Sequence, residues 1–359
     1  MEKIKAAVIG CGRMGAFTSA NVRKFAPSCW LPLSHSEAIN VHDGLILQAM
    51  SDTDKEALYK ASSLYKVKNI YNNPLDLIDK EDIELLCIAT RTIGRADIIS
   101  FAIESGVCAI HLEKPLCNSV KELLHLKSLI DTNEVFMTYG AVRRFFPIYK
   151  YACNLANSNK YGDLKEIRFN AGLAPLYWTH PHSIDLILYA AGKRKVSGVQ
   201  AIFSNMQTSD KKTEILSDPT VKSATIYFDD GVTGVIDQSI GLDFVLICEY
   251  AEIIVRSDGK CIDIYASDGD NPYPVILDSK VTFNEINGGT FLPVSELVSC
   301  LKGDVVARSD NNFNKESIFN GQDISFSMIQ SHITGGSVVE NYDYDPEIFI
   351  HAITKGNPA

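Results

Sequence analysis

Two observations predict an α/β unit with a parallel sheet, followed by an α+β domain built on a large, mainly antiparallel sheet. Over residues 6 to 115 short apolar runs alternate with helical patterns, the spacing of successive βαβ units. From Leu164 onward long strand-like runs take over, and Asp229-Asp230-Gly231 is a hairpin signal between two of them. A length of 359 residues suits two domains, and 46% hydrophobic residues suit an ordinary core.

The elements follow in order. Ala6–Ile9, Leu45–Met50, Leu85–Ala89 and Cys108–Leu112 are short apolar runs and predict buried strands. Met14–Phe25, Lys55–Tyr65 and Asp97–Ser105 carry the helical period between them. After Pro115 the pattern gives a helix at Val120–Ile130, a strand at Val135–Tyr139 and a helix at Pro147–Ser158. The later strands are Glu166–Ala171, Ser223–Phe228, Val232–Ser239, Phe244–Tyr250 and Ile253–Ser257. The acidic, Tyr-rich segment from Asn341 to Ile350 reads as surface. The predicted boundary divides residues 1–118 from 119–359, with the strand near 135–140 as an addition to the first domain.

Bulk properties bound the function. A net charge of −10 argues against a nucleic-acid partner, which needs a basic surface, yet leaves room for an anionic small molecule in a local basic pocket. No positively charged segment followed by a long apolar run opens the chain, and no stretch of about 18 uninterrupted apolar residues exists. The nine cysteines form no Cys-x-x-Cys pair, which suits reduced thiols and a cytoplasmic location better than disulfides or zinc.

Gly10-Cys11-Gly12-Arg13-Met14-Gly15 is a G-x-G-x-x-G placed between a predicted strand and a predicted helix. The first glycine permits a tight turn, the second lets backbone approach a pyrophosphate, and the third allows close helix–strand packing. The helix start offers amide donors and partial positive charge to phosphates. The motif in this context predicts a dinucleotide-binding Rossmann domain, with Gly10, Gly12, Arg13, Met14 and Gly15 at the cofactor. Asp52 ends the second strand, where a carboxylate accepts ribose hydroxyls and favours NAD. Arg13 keeps NADP open, because a guanidinium can meet a 2′-phosphate. Asp52 lies 37 residues beyond Gly15 instead of the typical 20 or so, and the excess is placed at Ala26–Asp43. The alternative role for Asp52 is a cap on the helix Lys55–Tyr65.

Further motifs lie in the same chain order. Leu86-Cys87-Ile88-Ala89-Thr90 ends a strand, as does Glu113-Lys114-Pro115; Arg143-Arg144-Phe145 follows another, and His182-Ser183-Ile184-Asp185 opens a helix. With the glycine loop, this order resembles the Gfo/Idh/MocA family of oxidoreductases over nearly the whole chain, most specifically at Glu-Lys-Pro. The resemblance implies a two-domain, oligomeric enzyme, a homodimer or homotetramer, that moves hydride between a nicotinamide cofactor and a hydroxyl carbon of a sugar, nucleotide sugar or cyclitol. It implies that Lys114 contacts the reacting hydroxyl, that Pro115 follows a cis bond, that His182 is the acid/base and that Asp185 belongs to its His-x-x-Asp. Thr90, Arg91, Glu113 and Lys114 fall on the cofactor side. Lys114, Arg143, Trp178, His180 and His182 fall on the substrate side.

The chemistry of these residue types agrees. A histidine near neutral pKa can take a hydroxyl proton, and an ammonium can hold the oxygen as charge develops on it. Lys114 stands at the carboxyl end of a parallel strand, where open α/β sheets bind ligands. His180 is the alternative base, and Asp185, one helical turn from His182, either orients that ring or simply pairs with it. The chain also departs from the family pattern. Trp178-Thr179-His180-Pro181-His182 has tryptophan and histidine where Asp-x-Gly-x-His is common, so the lysine–aspartate–histidine trio is incomplete. Trp178 and Tyr177 either wall a sugar ring or belong to the core; Tyr149 is a further candidate. Arg91 and Arg95 replace a proline and a histidine after Thr90, and suit either an anionic group or a solvated helix start. Of Arg143 and Arg144, one reaches substrate and the other forms a structural ion pair. Two other functions remain open: NAD-assisted epimerisation or glycoside hydrolysis, and a non-catalytic cofactor-binding regulator.

Overall fold

The computed structural model describes residues 3–25, 30–267, 273, 275–278, 281 and 288–351. The first part of the chain runs β1 (Ile4–Ile9), α1 (Ala20–Phe25), α2 (His35–Val41), β2 (Leu45–Ser51), α3 (Lys55–Tyr65), β3 (Asn69–Tyr71), α4 (Pro74–Lys80), β4 (Leu85–Ile88), α5 (Arg95–Glu104), β5 (Ala109–Leu112), α6 (Val120–Thr132) and β6 (Phe136–Tyr139). It continues through α7 (Pro147–Ala156), β7 (Leu164–Phe169), β8 (Ala174–Pro175), α8 (His180–Ala191), β9 (Val196–Ser204), β10 (Glu214–Ile215), β11 (Thr220–Phe228) and β12 (Thr233–Ile236). Then come β13 (Phe244–Cys248), β14 (Ala251–Arg256), β15 (Cys261–Ala266), β16 (Val275–Asp278), α9 (Phe291–Leu301), α10 (Val305–Ile333), β17 (Val339–Glu340) and β18 (Phe349–Ile350).

The chain forms two compact units. The first holds the residues up to Val142 together with 288–319, and the second holds Arg143 to residue 281 together with Asn320 to His351. The predicted boundary fell at residue 118, whereas the units divide at Val142/Arg143 and the first takes back a late segment.

Among the described residues, the first unit has a six-stranded parallel sheet in the order β3-β2-β1-β4-β5-β6. Strands β4, β5 and β6 are buried at every position, as expected of parallel strands covered on both faces. One face packs Ala6, Val8, Leu85, Cys87 and Ala109 against Ile39 of α2 and Val294, Leu297 and Cys300 of α9. Asn311 of α10 ties down β6: its amide accepts from Met137 N (3.0 Å) and donates to Met137 O (2.9 Å), as a neighbouring strand would.

The predicted helix Met14–Phe25 is corrected. Residues 12–17 form a single turn, in which Ala16 N and Phe17 N donate to Gly12 O (2.9 and 3.1 Å), and a separate short helix follows at Ala20–Phe25. Helix α2 then resumes the first turn. His35 N donates to Met14 O and Ser36 N to Gly15 O, both 2.8 Å, the bonds that residues 18 and 19 of an unbroken helix would make. Residues 18–34 are therefore an insertion in the helix that follows the glycine loop, which corrects the predicted Ala26–Asp43. Of that predicted segment, residues 26–29 lie outside the described residues, and 35–41 are helical. Without the seventeen inserted residues, Asp52 would follow Gly15 by twenty, the usual Rossmann spacing.

The second unit is built on a ten-stranded mixed sheet in the order β16-β15-β14-β13-β7-β12-β11-β9-β17, with β8 beside β11. The β7–β12 pair is parallel and its other pairs antiparallel. The hairpin at Asp229-Asp230-Gly231 joins β11 to β12, with Gly231 at φ +90°. The segment 341–350 is not all surface: Ile348 and Ile350 are buried, and β18 pairs in parallel with β10.

Candidate active site

The glycine loop follows β1 directly. A side chain at Gly15 would collide with Gly10 O, 1.6 Å from where its Cβ would lie. One at Gly10 would strike the Ala89 carbonyl, at 2.8 Å, and φ there is +94°. Gly12 is the opposite case, with open space around its Cβ position. Packing thus demands two of the glycines, and the middle one leaves an open approach to backbone. At the end of β4, buried Thr90 Oγ1 has no hydrogen-bond partner among the described residues. An open glycine backbone and an orphaned hydroxyl at adjacent strand ends fit a dinucleotide phosphate.

Asp52 ties the tip of β2 to this loop. Its Oδ2 accepts from Cys11 N (2.6 Å) and its Oδ1 from Asp54 N (2.8 Å). The cap on α3 is Asp54, whose carboxylate accepts from Glu56 N and Ala57 N, so the alternative role for Asp52 is excluded. Burial first, then Asp52, pushes the Cys11 thiol up to about 12, which leaves it protonated and inert.

Glu113, Lys114 and Pro115 follow β5, and the Lys114–Pro115 peptide is cis. The Glu113 carboxylate is buried and meets His35 Nε2 at 3.2 Å. Burial favours the neutral acid, but the His35 contact and the nearby His35, Lys114 and His111 outweigh it and hold Glu113 below its usual range. His111 packs edge-on to His35 at 4.7 Å, and its Nδ1 faces Thr138 Oγ1 at 3.0 Å. Arg95 is the residue the sequence pattern did not single out from Arg91. It is almost wholly buried, and its guanidinium donates to the carbonyls of Thr90, Glu113 and Pro115. The available signal was a cation in the first turn of α5, where the helix dipole disfavours one.

In the second unit, Arg143 and Arg144 each form an ion pair. Arg143 grips Asp258 through Nε (2.6 Å) and Nη2 (3.0 Å), and Tyr149 OH donates to the same carboxylate (3.1 Å). Arg144 holds both oxygens of Asp185 at 2.9 Å and also donates to Asp185 O. Burial raises Asp185 against the pull of Arg144. Asp258 was not legible beforehand, since it lies 115 residues from its partner. Tyr177 is buried and accepts from Gln322 Nε2 (2.7 Å), a core position. Trp178 is 41% exposed, and its backbone N donates to Asp218 (2.9 Å). His180 and His182 open α8. His180 is fully buried beside Ser183 Oγ (3.1 Å), and burial pushes it down to about 4; His182 is half-buried. No group of three or more potential metal ligands occurs among the described residues, and no described helix is long and apolar enough to cross a membrane.

The buried histidines set an acid limit on stability. His111 is pushed down to about 3 by burial and then by His35. Below pH 6.5 the unfolded chain gains protons on His111 and His180 that the fold refuses, so stability falls as pH falls, by about 1.4 kcal/mol per unit for each. Most carboxylates titrate lower, so the histidine contribution is read between pH 6.5 and 5. Urea unfolding across that range should show falling midpoints; constant midpoints would remove these histidines from the account.

Residues 4–141 match the model of an oxidoreductase family with an NAD-binding Rossmann fold. The chain is similar to scyllo-inositol 2-dehydrogenase (NAD(+)) of Bacillus subtilis, 24% identical over 161 residues, which are 45% of this chain and 42% of that protein. It is also similar to trans-1,2-dihydrobenzene-1,2-diol dehydrogenase of Xenopus laevis, 23% identical over 38% of this chain and 41% of the relative. These matches span less than half the length of the curated relatives. Two solved structures share the fold over 94% of this chain. One is the WlbA dehydrogenase of Bordetella pertussis in complex with NADH and UDP-GlcNAcA (TM-score 0.70, 15% identity, 99% of that chain). The other is an inositol dehydrogenase homolog of Azotobacter vinelandii complexed with NADH and myo-inositol (TM-score 0.68, 15% identity, 98% of that chain). The glycine loop, the strand-end lysine and the family match together identify residues 4–141 as an NAD-binding Rossmann domain of the Gfo/Idh/MocA oxidoreductase type.

Proposed function

We propose that the chain is an NAD-dependent dehydrogenase acting on a CH–OH group of a sugar, nucleotide sugar or cyclitol, with Lys114 and His182 in acid/base roles. The observation that carries this reading is Lys114 at the carboxyl end of β5, in the same unit as an open Gly12 backbone. The second unit supplies the substrate-binding residues and the contacts of a homodimer or homotetramer. When bound, NAD supplies the hydride acceptor. Gly12, with the first-turn amides of Arg13 and Met14, holds the pyrophosphate, Asp52 the adenosine ribose, and Thr90, Arg91 and Glu113 the nicotinamide half. Lys114 donates a hydrogen bond to the substrate oxygen and stabilises negative charge on it as its proton leaves.

His182 takes that proton. His180 is the weaker candidate, being fully buried with its Nδ1 on Ser183 and a basicity far below neutral. Asp185 acts through Arg144, the pair holding the start of α8 and so the height of His182. Trp178 offers an exposed aromatic face to a sugar ring. Arg143 reaches substrate only by sharing its Asp258 pair. The names of the relatives support the substrate class: a cyclitol for one, a dihydrodiol for another. The test is NADH formation from NAD with a panel of cyclitols, aldoses and nucleotide sugars. Absence of turnover throughout, with NAD bound, overturns the dehydrogenase reading.

Asp52 makes a cofactor prediction. Its carboxylate is already oriented by Cys11 and Asp54, and a 2′-phosphate would be repelled by it. NAD should bind at least about tenfold more tightly than NADP, a difference of about 1.4 kcal/mol. Asp52→Ala should narrow that gap in calorimetric titrations. A wild-type preference for NADP would refute the assignment.

A further inference from the structure

We propose that Arg95 is a positioning residue for Lys114, its buried guanidinium fixing the main chain on both sides of that lysine and tying it to the end of β4. The proposal rests on the reading of Lys114 as a working residue, and its test separates the two.

Three observations carry it, all within the first unit. Arg95 Nη1 donates to the carbonyls of Glu113 and of Pro115, the residues immediately before and after Lys114. Nη2 donates to Thr90 O, at the end of the neighbouring strand. The side chain is 1% exposed, and these bonds cross 5 to 20 residues of sequence.

Burying a guanidinium is costly unless its donors are used; here Nη1 and Nη2 are spent on three carbonyls, while the buried Nε–H has no hydrogen-bond partner among the described residues. A planar fork satisfies acceptors in two directions at once. A lysine at this position would bring donors from one atom and could not span Thr90 and the two sides of Lys114 together. Glu113 is held separately, through its carboxylate, by His35. The motif is therefore restrained at the Glu113 side chain by one residue and along its backbone by another. Lys114 itself keeps a half-buried side chain between two anchored carbonyls. Restraint of this kind matters for catalysis because displacement of a reacting group by about 1 Å can cost about 10²-fold in rate.

A purely structural arginine would change stability and leave the Lys114 amine in its place. Reductive methylation with ¹³C-formaldehyde gives each lysine a dimethylamine NMR signal, and that of Lys114 is the one missing from Lys114→Arg. Wild type, Arg95→Lys and Arg95→Met are compared with Ile99→Ala, which removes a buried side chain from the same helix without touching the carbonyls. The expected result is a Lys114 signal shifted by more than its line width in both Arg95 variants and unmoved in Ile99→Ala. An unmoved signal in folded Arg95 variants overturns the proposal, as does an equal shift in Ile99→Ala. Failure of both Arg95 variants to fold, judged by circular dichroism, also overturns it, since Arg95 would then be a folding residue. The signal requires no substrate, so it stands or falls independently of the dehydrogenase reading. With a substrate of the panel, Arg95→Lys should lose about 10²-fold in kcat at unchanged KM for NAD; an unchanged kcat counts against positioning.

Discussion

Lys114→Ala and His182→Ala are each expected to lower the rate of NADH formation by about 10²–10⁴-fold, the worth of positioned acid–base help. NAD affinity should change little in either, because the proposed holders of the pyrophosphate and the adenosine ribose, Gly12 and Asp52, are other residues. If the two side chains serve one hydroxyl, the double variant should lose little more than the worse single one, as for groups that act as a unit. Single-turnover measurement with an active substrate of the panel reads the step directly. His180→Ala is the control. That histidine is a core residue, so the expected effect is on stability, with the rate largely kept. Full activity in Lys114→Ala would refute the proposed chemistry. A dead His180→Ala beside an active His182→Ala would move the base by two residues.

The glycine loop gives the second large contrast, because its glycines serve different ends. Gly15→Ala places a methyl group on Gly10 O, so backbone must move at the junction of β1 with the first turn. The expected cost is more than about 3 kcal/mol, in the range of severe overpacking, read as a lower urea midpoint. At Gly12 an added Cβ has no neighbour within 4 Å, so the stability of Gly12→Val should fall far less than that of Gly15→Ala. The valine would occupy the path of a pyrophosphate instead, and calorimetric titration should show NAD affinity reduced by at least about tenfold. A folded Gly12→Val with wild-type affinity would place the phosphates elsewhere.

These contrasts mark what the amino-acid pattern could show. Strands β1, β2, β4, β5 and β6 were legible because each is a short apolar run, and parallel strands are apolar on both faces. The strand-end motifs were legible for the same reason: Asp52, Thr90 and Glu113-Lys114-Pro115 follow runs whose ends are sharp. Helix α10 was not, because polar and apolar residues are spread around its 29 residues and no stripe announces it. The pairings His35–Glu113, Arg143–Asp258 and Asn311–Met137 join residues 78 to 174 apart, and local periodicity has nothing to say about such distances. The misplaced insertion has a specific cause. Periodicity assumes that a helix is continuous in the chain, and here seventeen residues separate its first turn from its remainder.

That interrupted helix ties the cofactor cradle to the far end of its own unit. Closing a seventeen-residue loop costs entropy, about 2.5 kcal/mol by the logarithmic law. The loop is stitched down by Gly288 N to Leu31 O (3.0 Å), Thr290 N to Pro32 O (3.0 Å) and Thr290 Oγ1 to Leu33 O (2.6 Å). At about 1 kcal/mol each, these bonds offset the closure. The rigidity of the phosphate site proposed at residue 12 is thus underwritten from residue 290, and the lesion produced by altering Thr290 would surface as slack in dinucleotide binding, a defect with no trace in the glycine motif itself.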